Sequence, residues 1–216
     1  MNINSSVERI MVFGDSLSWG YKPGSQHQRY APNVRWPGKL QQLLGNDYEI
    51  IEENLNSRGI ENGDPRPGKE GRRALDYIEA CLDSQDPLDR VIVLLGTNEL
   101  KYEMGMNAEV VGESMEKLLN IILTRPSQYR GTTPKVTLLS PPIINEDTEY
   151  CRTGDKYLGS TEKSKRLVEV YERLATKLGI GFITLSSINV GVDGIHIDLD
   201  EHAKVAELVY QSLKAA

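Results

Sequence analysis

The chain has 216 residues, 39% of them hydrophobic and 26% charged, with a formal net charge of −6. That length is enough for one domain whose core needs neither disulfides nor a structural metal. The acidic balance argues against a grip on nucleic acid, which needs clustered Lys and Arg, and no apolar run approaches the ~20 residues that span a bilayer.

The first residues, MNINSSVERIMVF, hold no basic segment followed by an apolar one, so no secretory signal is expected and the cytoplasm is the expected location. RIMVF (9–13) reads as the first strand and runs straight into Gly14-Asp15-Ser16. WPGKLQQLL (36–44) has helical spacing, and YEIIEE (48–53) is the second strand. RRALDYIEACL (72–82) is helical, RVIVLL (90–95) is the third strand, and NAEVVGESMEKLLNIIL (107–123) is the next helix. KVTLLS (135–140), STEKSKRLVEVYERLATKL (160–178), GFITL (181–185) and DEHAKVAELVYQSLKAA (200–216) continue as strand, helix, strand and closing helix. Within 160–178, Leu167, Val170, Tyr171, Leu174 and Leu178 recur at helical spacing and mark a core face.

Strands alternating with helices imply right-handed crossovers and a five-stranded parallel sheet covered on both faces, a three-layer α/β/α architecture of flavodoxin-like form. Such strands should be apolar nearly throughout. No repeat or linker divides the chain, so a single domain over 1–216 is expected. The longer irregular stretches, 17–35, 54–71, 141–159 and 186–199, each follow a strand. Loops at the carboxyl ends of strands build the ligand site in open α/β sheets.

Those loops hold a set of residues with one chemistry in common. Gly-Asp-Ser is ordinary turn chemistry, and Ser16 alone decides nothing. The last loop, however, carries VDGIHID, with Asp193 three residues before His196. A serine nucleophile needs a base for its proton, and the base needs a carboxylate on its other ring nitrogen. Of the other two histidines, His27 lies in the first loop. His202 follows the acids of IDLDEH, which read as helix-capping residues ahead of a solvated face. The third strand ends in LLGTNEL, where Asn98 offers a side-chain donor to a developing oxyanion. The second exits into NLNSRGIENGD, a loop able to offer a backbone N–H. Cys81 and Cys151 have no CxxC or metal-ligand spacing and read as reduced, incidental thiols.

FGDSLSWGY, RYAPNVRWPG, VIVLLGTNEL, LLSPP and VDGIHID, in this order, resemble the SGNH (GDSL-type) hydrolase family, and most closely its bacterial arylesterase/acyltransferase branch. The resemblance implies Ser16 as nucleophile, His196 as base and Asp193 as the carboxylate orienting it. It implies an oxyanion hole formed by the Ser16 N–H, the Asn98 side chain and a donor from the second block. Ser57 aligns there, where the family usually has glycine, with Gly59 as the alternative. Glu99 stands where the branch more often has Asp, and Asp15 reads as a residue fixing the turn.

The expected activity is hydrolysis of small-acyl aryl or simple alkyl esters through an acyl-Ser16 intermediate, with acyl transfer to alcohols. Carbohydrate O-acetylesterase, thioesterase and lysophospholipase chemistry are alternatives on the same three residues. Trp19 and Ile195 are read as facing substrate. Trp19, Tyr21 and Trp36, with Pro141, Pro142, Ile143, Ile144, Tyr150 and Tyr157, suggest an apolar entrance. No cofactor and no metal are expected, and the resemblance implies a homo-oligomer. Two rivals differ in class. A two-metal phosphoesterase needs more ligands than three histidines readily supply. A flavodoxin-like binding module would want a Gly- or hydroxyl-rich first turn, not an acid and a tryptophan.

Overall fold

A computed structural model of the chain describes residues 6–215. Its five strands are β1 (Glu8–Gly14), β2 (Tyr48–Asn54), β3 (Arg90–Leu94), β4 (Lys135–Ser140) and β5 (Gly181–Thr184). All neighbours pair in parallel, in the order β2-β1-β3-β4-β5. The five long helices are α2 (Trp36–Leu44), α3 (Ala74–Ser84), α4 (Ala108–Thr124), α6 (Ser160–Leu178) and α7 (Glu201–Ala215). Two single turns, α1 (Ser16–Trp19) and α5 (Glu149–Arg152), interrupt the loops. Each expected element is present, with ends shifted by a residue or two.

Side chains alternate across a strand, and here the alternation splits the core in two. Met11, Phe13, Val91, Val93 and Leu138 bury against α3, α4 and α6. Ile10, Val12, Ile92, Leu94 and Leu139 bury against α2 and α7. The stripe Leu167, Val170, Tyr171 and Leu174 is buried on the first of these sides, as its spacing requires.

The edge strand β2 departs from the apolar pattern. Every residue in it is half-buried, because only one of its long sides pairs with a strand. Two of its carboxylates are met by neighbouring arginines: Arg35 Nε and Nη2 donate to Glu52 at 2.7 and 2.6 Å, and Arg9 Nε to Glu49 at 3.1 Å. Charge on an edge strand is a usual defence against unwanted pairing.

Two aromatic and histidine positions also differ from expectation. Trp36 is fully buried at the start of α2, so it packs the core and is absent from the entrance. His202 is buried, not solvated, because α7 lies against α2 and the Trp36 N–H donates to His202 Nδ1 at 3.2 Å. Burial pushes the His202 imidazole down to about 4. Among the described residues no helix is long and apolar enough to cross a membrane.

The chain steps from β1 outward to β2 and then crosses to β3 on the other side of β1. Loops leaving β1 and β3 must therefore part in opposite directions, which opens a crevice at their carboxyl ends. Ser16 and Asn98 sit on those two loops.

Candidate active site

Gly14 ends β1, and the Asp15 side chain accepts from the Leu17 N–H at 2.9 Å, capping α1. Ser16 is thereby made the first helical residue, and its own N–H has no carbonyl within the helix to bond. Its Oγ lies 3.0 Å from His196 Nε2. The other ring nitrogen, Nδ1, lies 2.7 Å from Asp193 Oδ2. Hydroxyl, imidazole and carboxylate stand in line.

The last loop builds two of these three positions as one unit. Asp193 Oδ1 accepts from the backbone N–H groups of Ile195 and His196 at 3.0 and 2.9 Å, and Oδ2 also accepts from the Gly24 N–H at 3.2 Å. Gly194 turns the chain between them at φ 75°, where a Cβ would stand 2.2 Å from the Asn145 carbonyl oxygen, so only glycine fits. Thr148 Oγ1 and Cys151 Sγ donate to the Asp193 carbonyl, which ties the loop to α5. Tyr21 stacks on the His196 ring at 4.3 Å between centroids. Burial alone would push the Asp193 carboxyl up; hydrogen bonds and charge from His196, with the two backbone donors, outweigh it and hold the group low. Asp193 is therefore ionised at neutral pH and can keep a proton on Nδ1, leaving Nε2 to accept one.

Asn98 opens a helical turn, Asn98–Leu100, directly after β3. Its Nδ2 donates to the Arg58 carbonyl at 3.1 Å and to Asp15 Oδ2 at 3.3 Å. The second loop is pinned to this turn by Glu99, which is fully buried and accepts from the Ile60 N–H through Oε1. Burial pushes the Glu99 carboxyl up to about 7 and that of Asp15 up to about 6. Arg58 braces the same loop, donating to the Gly14 carbonyl at 3.1 Å with its guanidinium over the Phe13 ring.

Between Ser57 and Gly59, the backbone favours Ser57. Ser57 lines the same pocket as Ser16 and Asn98, and its N–H makes no hydrogen bond among the described residues. The Gly59 N–H already donates to the Arg72 carbonyl at 3.0 Å, and a Cβ there would meet the Asn62 carbonyl oxygen at 2.0 Å. Glycine at 59 thus answers a close backbone approach. Ser57 holds φ 62°, the left-handed region in which a glycine costs less. Its Oγ accepts from Arg66 Nη2 at 3.1 Å.

A pocket of about 220 Å³ opens over Ser16 and His196, with Tyr21, His27, Ile195, Tyr150 and Tyr157 in its wall. Trp19 is not among the lining residues. Tyr21 occupies the place on His196, and Trp19 lies one ring further out, 6.4 Å from Tyr21 and beneath the Arg29 guanidinium at 4.8 Å. Of the residues expected at an apolar entrance, Tyr21, Tyr150 and Tyr157 line the pocket and the others named do not. Pro141, Pro142 and Ile144 are buried, and the wall carries Arg66, Lys69, Lys101 and Lys156 instead. Isolated charged residues in loops have no periodicity, so nothing in the sequence pattern gathers them. A larger hollow of about 520 Å³ lies at the amino-terminal edge of the sheet, but its Arg90 and Arg130 are paired with Glu8 and Asp89. Among the described residues no group of three or more His, Cys, Asp or Glu side chains is placed to hold a metal ion.

A carboxylate, an imidazole and a hydroxyl in hydrogen-bonded line, on loops at the carboxyl edge of a parallel sheet, define the class of serine-dependent hydrolases. Residues 12–203 match the GDSL-like Lipase/Acylhydrolase family, and the chain belongs to it, as a carboxylic ester hydrolase of SGNH fold. The inhibitor-bound aryl esterase of M. smegmatis is 32% identical with a TM-score of 0.89, covering 97% of this chain and 99% of its own. A carbohydrate acetylesterase from Sinorhizobium meliloti is 30% identical with a TM-score of 0.89, covering 96% of this chain and 99% of its own. A lipase/acylhydrolase from Enterococcus faecalis, at 16% identity and a TM-score of 0.69, covers 97% of this chain and 96% of its own and shares the fold. A search of curated proteins found no match.

Proposed function

We propose that this chain is a serine esterase cleaving small-acyl esters of aryl or simple alcohols, with Ser16 as nucleophile, His196 as base and Asp193 as its orienting carboxylate. The observation that carries the reading is the pair of contacts on one imidazole, 3.0 Å to Ser16 Oγ and 2.7 Å to Asp193 Oδ2. His196 Nε2 takes the Ser16 proton as Oγ attacks the ester carbonyl. The tetrahedral oxyanion is met by the N–H groups of Ser16 and Ser57 and by Asn98 Nδ2, which gives up its long 3.3 Å contact with Asp15 Oδ2 to do so. As it collapses, the C–O bond to the alcohol breaks and the imidazolium returns its proton to the leaving oxygen. Water, deprotonated by the same nitrogen, then attacks the acyl-Ser16 ester and releases the acid.

A small acyl group is favoured by size. The pocket's roughly 220 Å³ is below the 300–1,000 Å³ or so typical of sites for drug-sized ligands. The carbohydrate acetylesterase neighbour supports an acetyl-sized acyl group, and the aryl esterase neighbour supports an aryl alcohol. An alcohol can replace water in the second half-reaction. Charged residues interrupt the apolar entrance that would favour it, so hydrolysis is the activity proposed. The test is hydrolysis of 4-nitrophenyl acetate, propionate, butyrate and octanoate by the wild type and by Ser16→Ala. The expected result is kcat/KM falling with acyl length and a Ser16→Ala rate lower by several orders of magnitude. Preference for octanoate, or wild-type rates in Ser16→Ala, would contradict it.

A further inference from the structure

The wall opposite the catalytic residues has a charge that the chain as a whole does not. The net charge is −6, yet the pocket over Ser16 is lined by Arg66, Lys69, Lys101 and Lys156 against a single acid, Glu103. Arg66 is already occupied, with Nε on Asp64 Oδ1 at 2.8 Å and Nη2 on Ser57. Lys156 lies over the Tyr150 ring at 4.4 Å and donates to its hydroxyl at 3.3 Å, and makes no ion pair among the described residues. Lys69 and Lys101 make no ion pair among the described residues and both are half-buried, with Asp64 and Glu103 acting on Lys101 only at longer range.

An ammonium taken partly out of water without a counter-ion is unfavourable, and a structural role would normally pair it. Lys101 follows the turn that carries Asn98, so the same rigid segment brings a side-chain amide and a cation to one pocket. Three cations with no ion pair among the described residues, converging on a pocket that also holds a reactive serine, are a receptor for negative charge.

We propose that the natural ester carries an anionic group, a carboxylate, sulfate or phosphate, held by Lys69, Lys101 and Lys156 away from the scissile bond. The inference rests on the esterase reading and names its substrate class. The anion sits in the alcohol or in the acyl part, and the probes distinguish the two. Opposite charges in contact within a partly dry pocket discriminate more strongly than the added bulk of an uncharged ring would.

The experiment compares 4-acetoxybenzoate with its neutral methyl ester, and mono-4-nitrophenyl succinate with 4-nitrophenyl butyrate. Each kcat/KM is divided by the ester's own hydroxide-catalysed rate. At low ionic strength at least one anionic ester should exceed its neutral partner by about tenfold or more, as a charge-assisted contact allows. The excess should shrink as sodium chloride is raised, since salt screens such attraction. In Lys69→Gln/Lys101→Gln the anionic-to-neutral ratio should fall towards one. Equal or lower rates for both anionic esters in the wild type would overturn the inference, with no variant required. If 4-nitrophenyl acetate is also left intact, the esterase reading fails and the inference falls with it.

Discussion

Asn98 Nδ2 donates to Asp15 Oδ2 across 3.3 Å, so the turn after β3 is tied to the residue that precedes Ser16. Asp15 Oδ1 at the same time accepts from the Leu17 N–H at 2.9 Å and starts α1. One buried carboxyl therefore fixes both the candidate nucleophile and the candidate oxyanion donor. Substituting Asp15→Ala removes the cap and the anchor together. We expect kcat lower by about 10- to 100-fold, the scale of a small misplacement at a reacting centre, and stability at acidic pH, below the value of about 6 where the buried carboxyl ionises, lower by about 1 kcal/mol from the lost cap. Steady-state kinetics with chemical denaturation checks both, and an unchanged kcat would disconnect Asp15 from the site.

Asn98→Ala should act on the transition state. A donor that meets charge only as the oxyanion forms lowers kcat by about 10²–10³ when lost and leaves KM nearly unchanged. A raised KM at normal kcat would make Asn98 a binding or turn residue.

Ser57→Gly separates backbone from side chain. The residue holds φ 62°, a conformation that costs a non-glycine residue roughly 1–2 kcal/mol, partly offset by glycine's greater unfolded-state entropy. The substitution keeps the N–H and removes the contact with Arg66. Thermal unfolding should show a gain of up to about 1 kcal/mol, with activity within a few-fold. A loss of stability would mean that the Arg66–Ser57 hydrogen bond outweighs the backbone strain.

How much of this was legible depends on whether a residue's role lies in a local pattern. The period-two and helical repeats that build the sheet and its two covers are local, and so are GDS and DGIH, which each place a functional group within three residues of backbone. Asp15 was read as fixing the turn, and its side chain caps α1. Ser57 and Gly59 could not be separated, because the answer lies in a dihedral angle and in a carbonyl three residues on. Trp19 failed for a related reason: proximity in sequence to Ser16 does not say which of two aromatic rings stacks on His196. Lys69, Lys101 and Lys156 come from two loops and a turn that only the crossovers bring together. His202 looked solvated because its neighbours are acids, and it is buried because α2 covers it.

That buried histidine gives a pH prediction for stability. The folded-state value near 4 lies below the unfolded value of 6.5, so the unfolded chain binds more protons between those limits. Stability contributed by neutral His202 is full above pH 6.5 and is lost as pH falls towards 4, on the order of 3 kcal/mol at about 1.4 kcal/mol per pH unit. Asp15 and Glu99 act oppositely, since burial raises their values and their contribution fades as pH rises. Comparing wild type with His202→Gln cancels those two groups. The difference in unfolding free energy should grow in favour of the wild type from pH 4 to 6.5, and a difference independent of pH would show that His202 does not titrate this way.

The central claim, an acyl intermediate on Ser16, is tested most directly by mass spectrometry of the protein quenched in acid during turnover of 4-nitrophenyl acetate. Quenching within the first turnovers, with His196 in place, catches the intermediate before water removes it, because the same base serves both acylation and deacylation. One acetyl group per chain is expected on the peptide containing Ser16, and none on that peptide in Ser16→Ala. Acetylation confined to another residue, or full hydrolytic activity in Ser16→Ala, would contradict it.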